Sequence, residues 1–258
     1  MRPSTTKLRV ELLEKREMLS VTAVLNGGTL AITGDSQPNT IRVTQDAAAV
    51  QWSVVGDNVN LGVFSNVNNI TINPKNGPDV VAVQGTQLPG SLTITGGIVG
   101  VAATVSGVIG TPSRPAVPLT ITGSLMITGG VGPDVVQLRS VAAKSAIVLL
   151  ASGNDQLYIA SAGQDAGGAT LFGLNADAVA ILMGGGDDLV SVGAAVNASS
   201  FARIDGGSNT TTSPGDTISG TANVHGPAGS QAWVNFETID PSSPSVKAIL
   251  GRPTWMIA

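Results

Sequence analysis

Pairs of branched aliphatic residues, the two members separated by one position, return about every eleven residues along this chain. Leu30/Ile32, Ile41/Val43, Val50/Trp52, Val59/Leu61, Ile70/Ile72, Val81/Val83, Leu92/Ile94 and Ala103/Val105 form one series, and Leu125/Ile127, Val136/Leu138 and Ile147/Leu149 a second. A looser continuation runs through Leu157/Ile159, Val179/Ile181 and Val190/Val192. Residues at i and i+2 share one face of a strand, and a fixed period marks a repeat architecture. From about Leu25 the pattern predicts short β-branched strands alternating with Gly, Asn, Asp and Pro turns. Between Gly110 and Pro118 the rhythm slips around Pro112, Pro115 and Pro118, which cannot donate ladder hydrogen bonds, so a loop is expected there and the phase resumes at Leu119.

Such spacing fits an antiparallel meander or sandwich as well as a solenoid of stacked parallel strands. Composition favours the solenoid. Only 3% of residues are aromatic, and a narrow interior filled by Val, Ile, Leu and Ala ladders needs few rings. The expected class is all-β: a β-solenoid of the right-handed parallel β-helix type with about eleven residues per strand-turn unit, the handedness being a fold-level prior. A coil of two units suits the spacings Asp57 to Asp79 and Asp155 to Asp177, and one of three suits Asp155 to Asp188. The expected organisation is a leader over residues 1–20, solenoid repeats over 21–220, and a cap over 221–258 that covers the open strand edges and carries Trp233, Phe236 and Trp255.

Charge narrows the partners. The first twenty residues hold five bases and three acids, whereas the remainder holds eight bases and fourteen acids, all aspartate except Glu237. An acidic repeat region with scattered bases makes a poor phosphate-binding surface, so no nucleic-acid partner is expected. No stretch approaches the roughly twenty apolar residues of a membrane span. The chain has no cysteine, which excludes disulfides and thiolate metal sites and leaves the redox compartment open.

The recurrent motif is a turn leading into a strand, G-x-D-x-h-x-h with h apolar: GPDVVAV from Gly77, GPDVVQL from Gly132, GNDQLYI from Gly153 and GGDDLVSV from Gly185. Glycine permits the turn, aspartate caps it and the alternating apolar residues enter the core, which is a complete structural account. GGVGPDVVQ (residues 129 to 137), and less closely MGGGDDLVS (183 to 191), also resemble the nonapeptide of haemolysin-type (RTX) calcium repeats. That resemblance implies calcium held by turn carbonyls and aspartates, here Asp79, Asp134, Asp155, Asp187 and Asp188, because a hard cation takes six to eight oxygens. The copies lie 21 to 55 residues apart in place of nine, so a continuous calcium ladder is not expected, although stacking can bring Asp134, or Asp187 and Asp188, near Asp155.

Residues 7 to 19, KLRVELLEKREML, predict a short charged helix with a Glu11 to Lys15 pair. With Leu13, Glu14, Arg16, Met18 and Leu19, LRVELLEKREMLSV resembles the LEPR-XLL leader of bacterial surface and extracellular proteins, Lys15 standing in place of its proline. The resemblance implies a cell-envelope or extracellular destination.

Catalytic groups are scarce. Charged residues make up 12% of the chain, against about 25% in an average domain, and His225 is the sole histidine. No G-x-S-x-G elbow or P-loop is present, and adjacent Asp187 and Asp188 point to opposite sides of a strand entry. The expected role is non-catalytic: an envelope or extracellular structural or adhesion protein that needs no cofactor and meets envelope polysaccharide or other surface proteins. The alternatives are a calcium-binding RTX-like module and a carbohydrate-active β-helix protein, the latter needing an acidic cleft on one sheet.

Overall fold

A computed structural model describes residues 20 to 240, apart from 47, 49, 210 to 214 and 228 to 231. The expected leader helix over 7 to 19, the last part of the expected cap and Trp255 lie outside the described residues. The chain begins with β1 (Thr22–Asn26), β2 (Thr29–Thr33), β3 (Thr40–Gln45), β4 (Gln51–Gly56) and β5 (Val59–Ser65). It continues through β6 (Asn69–Asn73), β7 (Asp79–Gln84), β8 (Gln87–Leu88), β9 (Leu92–Thr95), β10 (Val101–Ser106), β11 (Leu119–Thr128) and β12 (Val135–Arg139). Then come β13 (Val141–Leu149), β14 (Gln156–Ala160), β15 (Leu174–Leu182), β16 (Leu189–Val192), β17 (Val196–Asp205) and β18 (Thr217–Ser219). A 3-10 turn, Thr221–Asn223, precedes β19 (Val224–His225), β20 (Trp233–Val234) and β21 (Thr238–Asp240).

The strands form two sheets. The first runs β1-β2-β6-β9-β11-β13-β15-β17-β19, with β8 on β11 and β20 on β17; the second runs β21-β18-β16-β14-β12-β10-β7-β3-β4-β5. The all-β class therefore holds, and pairing between rungs is parallel. Among the named strands only β1 with β2 and β4 with β3 and β5 pair antiparallel. These hairpins sit at the N-terminal edges of both sheets, where they occupy backbone groups that would otherwise offer a template to another chain. Among the described residues no helix is long and apolar enough to cross a membrane.

Each rung contributes one strand to each sheet, and equivalent side chains fall into columns. In the first sheet Ile32, Ile72, Ile94, Ile127, Val148, Ile181 and Ile204 are successive register partners, all essentially sealed from solvent. In the second, Ile41, Val81, Ala103, Val136, Leu157, Val190 and Ile218 do the same. A fully buried aliphatic side chain is worth about 1.5–3 kcal/mol, so the columns are the main driving force for stacking.

Three expected pairs are corrected. Val50 and Val59 are exposed (61% and 45%), because β4 and β5 belong to the terminal hairpin, where Trp52 and Val54 face inward. In β13 the inward residues are Ala146 and Val148, not Ile147 and Leu149, since the register moves by one between Ile121 and Ser124 of the neighbouring β11. A one-residue slip exchanges the faces of everything beyond it.

Rung length also resolves the choice between two units and three. Register partners advance by 22 residues from Val81 to Ala103 and 21 from Val136 to Leu157, but by 33 from Ala103 to Val136 and from Leu157 to Val190. The basic rung is the two-unit one. The longer rungs carry inserted loops at 107 to 118 and 161 to 173, which stack on each other through Gly110 N–H to Ala162 O (2.9 Å) and Ala116 N–H to Gln164 O (2.7 Å). The proline run thus lies in a loop, and Leu119 returns to the core fully buried.

Candidate functional site

Every turn from the first sheet into the second ends on a residue just before, or at the start of, the second-sheet strand. In most rungs that residue is an aspartate, and stacking aligns these positions. The Oδ1 of Asp79 accepts the Asn39 N–H (2.8 Å), that of Asp134 the Val101 N–H (2.7 Å), and that of Asp155 the Asp134 N–H (2.7 Å). Asp188 accepts the Asp155 N–H (2.7 Å), Asp216 the Asp188 N–H (2.8 Å), and Glu237 Oε2 the Asp216 N–H (2.9 Å). From Val101 to Glu237 this is an unbroken chain of carboxylate-to-amide bonds between successive rungs. Val101, which has no side-chain acceptor, separates it from the Asn39–Asp79 pair; the Asp79 N–H instead meets Gly100 O at 3.4 Å.

The glycine of the motif has an equally local reason. A Cβ on Gly186 would stand 1.6 Å from Gly153 O, and one on Gly132 would stand 2.2 Å from Val99 O. Successive turns pack backbone on backbone, and only glycine permits that approach.

Four of the five expected site residues, Asp79, Asp134, Asp155 and Asp188, lie in this buried column, with Asp134, Asp155 and Asp188 bonded in sequence. Asp187 lies outside it: half-buried, with its N–H donated to Asn154 Oδ1 (3.1 Å). Sequence reasoning missed Asn39, Asp216 and Glu237. Pro38-Asn39 echoes Pro78-Asp79 and Pro133-Asp134, and Gly215-Asp216-Thr217-Ile218 carries the turn-then-strand pattern without the intervening residue. Glu237 has no such signal. Asp57 and Asp177, whose spacing hinted at two-unit coils, are not column members. Asp57 accepts the Thr40 N–H (2.7 Å) beside the column's first pair, and Asp177 is exposed.

Asp79, Asp155, Asp188 and Asp216 each keep Oδ2 buried and without a hydrogen bond, whereas Asp134 Oδ2 takes the Gly130 N–H (2.9 Å). Burial pushes all five carboxyls above the ordinary range, and the amide bonds oppose it only partly. Asp155 rises to about 7, its burial reinforced by the carboxylates of Asp134 and Asp188. Asp79 rises to about 6 beside Asp35 and Asp57, and Asp188 to about 6 beside Asp216 and Asp187. Near the column's end, burial also acts on Asp205, but bonds from Arg203 (2.5 Å), Asn235 and the Gly207 N–H outweigh it and hold Asp205 low.

Chemically, this column ties successive rungs together through carboxylate-to-amide bonds, and burial raises the proton affinity of its carboxyls. Among the described residues no group of three or more His, Cys, Asp or Glu side chains could hold a metal ion. No family model matches the chain, and neither a curated protein nor a solved structure matches it.

Proposed function

We propose that the chain is a β-solenoid scaffold, of the right-handed parallel β-helix type, serving as a non-catalytic structural or adhesion module in the cell envelope or outside the cell. What supports this reading is the parallel pairing between rungs from Thr29 to Asp240, which stacks the strands of both sheets and, at every rung except that of Val101, aligns a polar residue in a shared column. Such a body grows by repetition and presents long regular faces, which suits spacing and contact rather than turnover. The leader resemblance supports the location.

The test is fractionation of cells expressing the full chain, combined with protease treatment of the intact cells. The chain is expected in the envelope or medium and accessible to protease; a protected chain recovered from the cytosol overturns the assignment.

A second reading, calcium binding by Asp79, Asp134, Asp155, Asp187 and Asp188, is favoured by one observation. The unpartnered buried Oδ2 atoms of Asp79, Asp155 and Asp188 are the kind of oxygen a cation would satisfy. Removing calcium with a chelator would then lower the unfolding temperature, because a ligand of the folded state stabilises it by mass action.

A further inference from the structure

The outer faces of the two sheets differ. On the first sheet the outward residues Thr71, Thr95, Lys144, Leu182 and Phe201 are exposed. On the second, the outward positions alternate with the core pairs and form one register row: Arg42, Ala82, Thr104, Gln137, Tyr158 and Ser191. None of these six is exposed, and Gln137, Tyr158 and Ser191 keep only 4%, 7% and 5% of their surface. Burial also pushes the Tyr158 hydroxyl above its ordinary value. A tyrosine that points away from the core is sealed only if further atoms lie over it.

The described strands do not supply that cover, because all of them belong to the two sheets. The inserted loop 161 to 173, with loop 107 to 118 stacked on it, is held past the end of β12 by Ser140 Oγ. That hydroxyl donates to Phe172 O (2.9 Å) and accepts the Ala162 N–H (2.7 Å). The cover therefore comes from chain outside the described residues or from another molecule.

The place where the N-terminal segment joins the fold favours that segment. Ser20 Oγ donates to Asp57 Oδ2, and Asp57 Oδ1 accepts the Thr40 N–H at 2.7 Å, so the chain enters beside the first residue of β3, two positions from Arg42. From Arg42 to Tyr158 the row crosses four strand spacings of about 4.8 Å, or about 19 Å. The helix expected over residues 7 to 19 would be about 20 Å long at about 1.5 Å per residue. Leu8, Leu12 and Leu19 would share one face of it, with the aliphatic stem of Lys15 between them, and Glu11, Glu14 and Glu17 match the charge of Arg42 and Arg139 on the sheet. The C-terminal segment fits less well, because it leaves from β21, where Thr238, Ile239 and Asp240 are exposed.

We infer that residues 7 to 19 lie across the outer face of the second sheet, along the row from Arg42 to Tyr158, as a third layer of the fold. This docking is independent of the cellular location proposed above. If the same residues also direct export, they are accessible on the unfolded chain and hidden on the folded one.

Tyr158 is the sole tyrosine and the chain has no cysteine, so an isotope-labelled tyrosine ring and an engineered thiol each report one place. A nitroxide is attached to the full chain at Arg9→Cys, and separately at Ser245→Cys in the C-terminal segment. The label at position 9 is expected to broaden the Tyr158 ring signal beyond detection in NMR, with recovery when the nitroxide is reduced; the label at 245 is expected to leave it intact. Adding Leu8→Glu and Leu12→Glu to the chain labelled at position 9 is expected to restore most of the signal and to bring the Tyr158 hydroxyl back toward its ordinary pKa, with circular dichroism verifying the fold. An intact signal with the label at position 9 would overturn the inference, and loss only with the label at 245 would assign the face to the C-terminal segment instead. Loss when isotope and nitroxide sit on different chains would assign it to a second copy and overturn the inference equally.

Discussion

At the scale of single residues, the aspartate column separates two jobs that one carboxylate performs. Oδ1 satisfies a buried amide of the preceding rung, and the charge on the group is a burden that burial and neighbouring acids make worse. Replacing Asp155 by asparagine keeps an acceptor for the Asp134 N–H and removes the charge, so Asp155→Asn is expected to stabilise the protein by about 1–3 kcal/mol at pH 8. Asp155→Ala also removes the charge but orphans a buried N–H, which costs about 1–3 kcal/mol, and it is expected to fall below the asparagine variant in denaturant midpoint. Equal midpoints would mean that the amide bond contributes nothing. Four column members were legible because Gly and Asp recur at fixed offsets before a strand. Their use as caps was also legible, since turn aspartates commonly accept backbone hydrogens. What was not legible is that the capped amide belongs to the previous rung, up to 40 residues away, because that partner depends on loop lengths which the motif does not encode.

At the scale of elements, the i, i+2 pairs located most strands correctly because inward and outward positions differ so sharply in polarity. They failed where two adjacent positions are both apolar. In Ala146-Ile147-Val148-Leu149 either phase satisfies the pattern, and stacking against Leu125 and Ile127 selects the smaller Ala146 and Val148 for the core. The terminal hairpin was missed because β4 and β5 imitate the repeat in length and composition. Within a column, each side chain is packed by the rungs on both sides. Ile94 lies between Ile72 and Ile127, and Ile94→Ala is expected to cost about 2–5 kcal/mol in equilibrium unfolding. A loss under 1 kcal/mol would contradict tight packing between these rungs.

At the scale of the whole molecule, the rungs of the described residues, spaced about 4.8 Å apart, carry a polar seam whose nearest charged neighbours are nearly all acidic. Asp79, Asp134, Asp155, Asp188 and Asp216 hold their protons more tightly when folded than when unfolded. Their contribution to stability is therefore fully present below about pH 4 and is lost as pH rises, for Asp79, Asp155 and Asp188 through 6 to 7. Asp205 acts in the opposite sense, but its contribution is lost only below about pH 4, outside that window. The decisive measurement is thermal unfolding of the full chain across pH 4 to 8, in EDTA and in millimolar calcium, for the parent protein and Asp155→Asn. If the column is a proton-holding seam between rungs, the midpoint falls by roughly 5–10 °C from pH 4 to 8, Asp155→Asn flattens part of that fall, and calcium leaves the profiles unchanged. A midpoint that rises with pH in EDTA, or a parent protein that calcium stabilises at pH 8 and Asp155→Asn weakens, would contradict the seam and make these aspartates ligands.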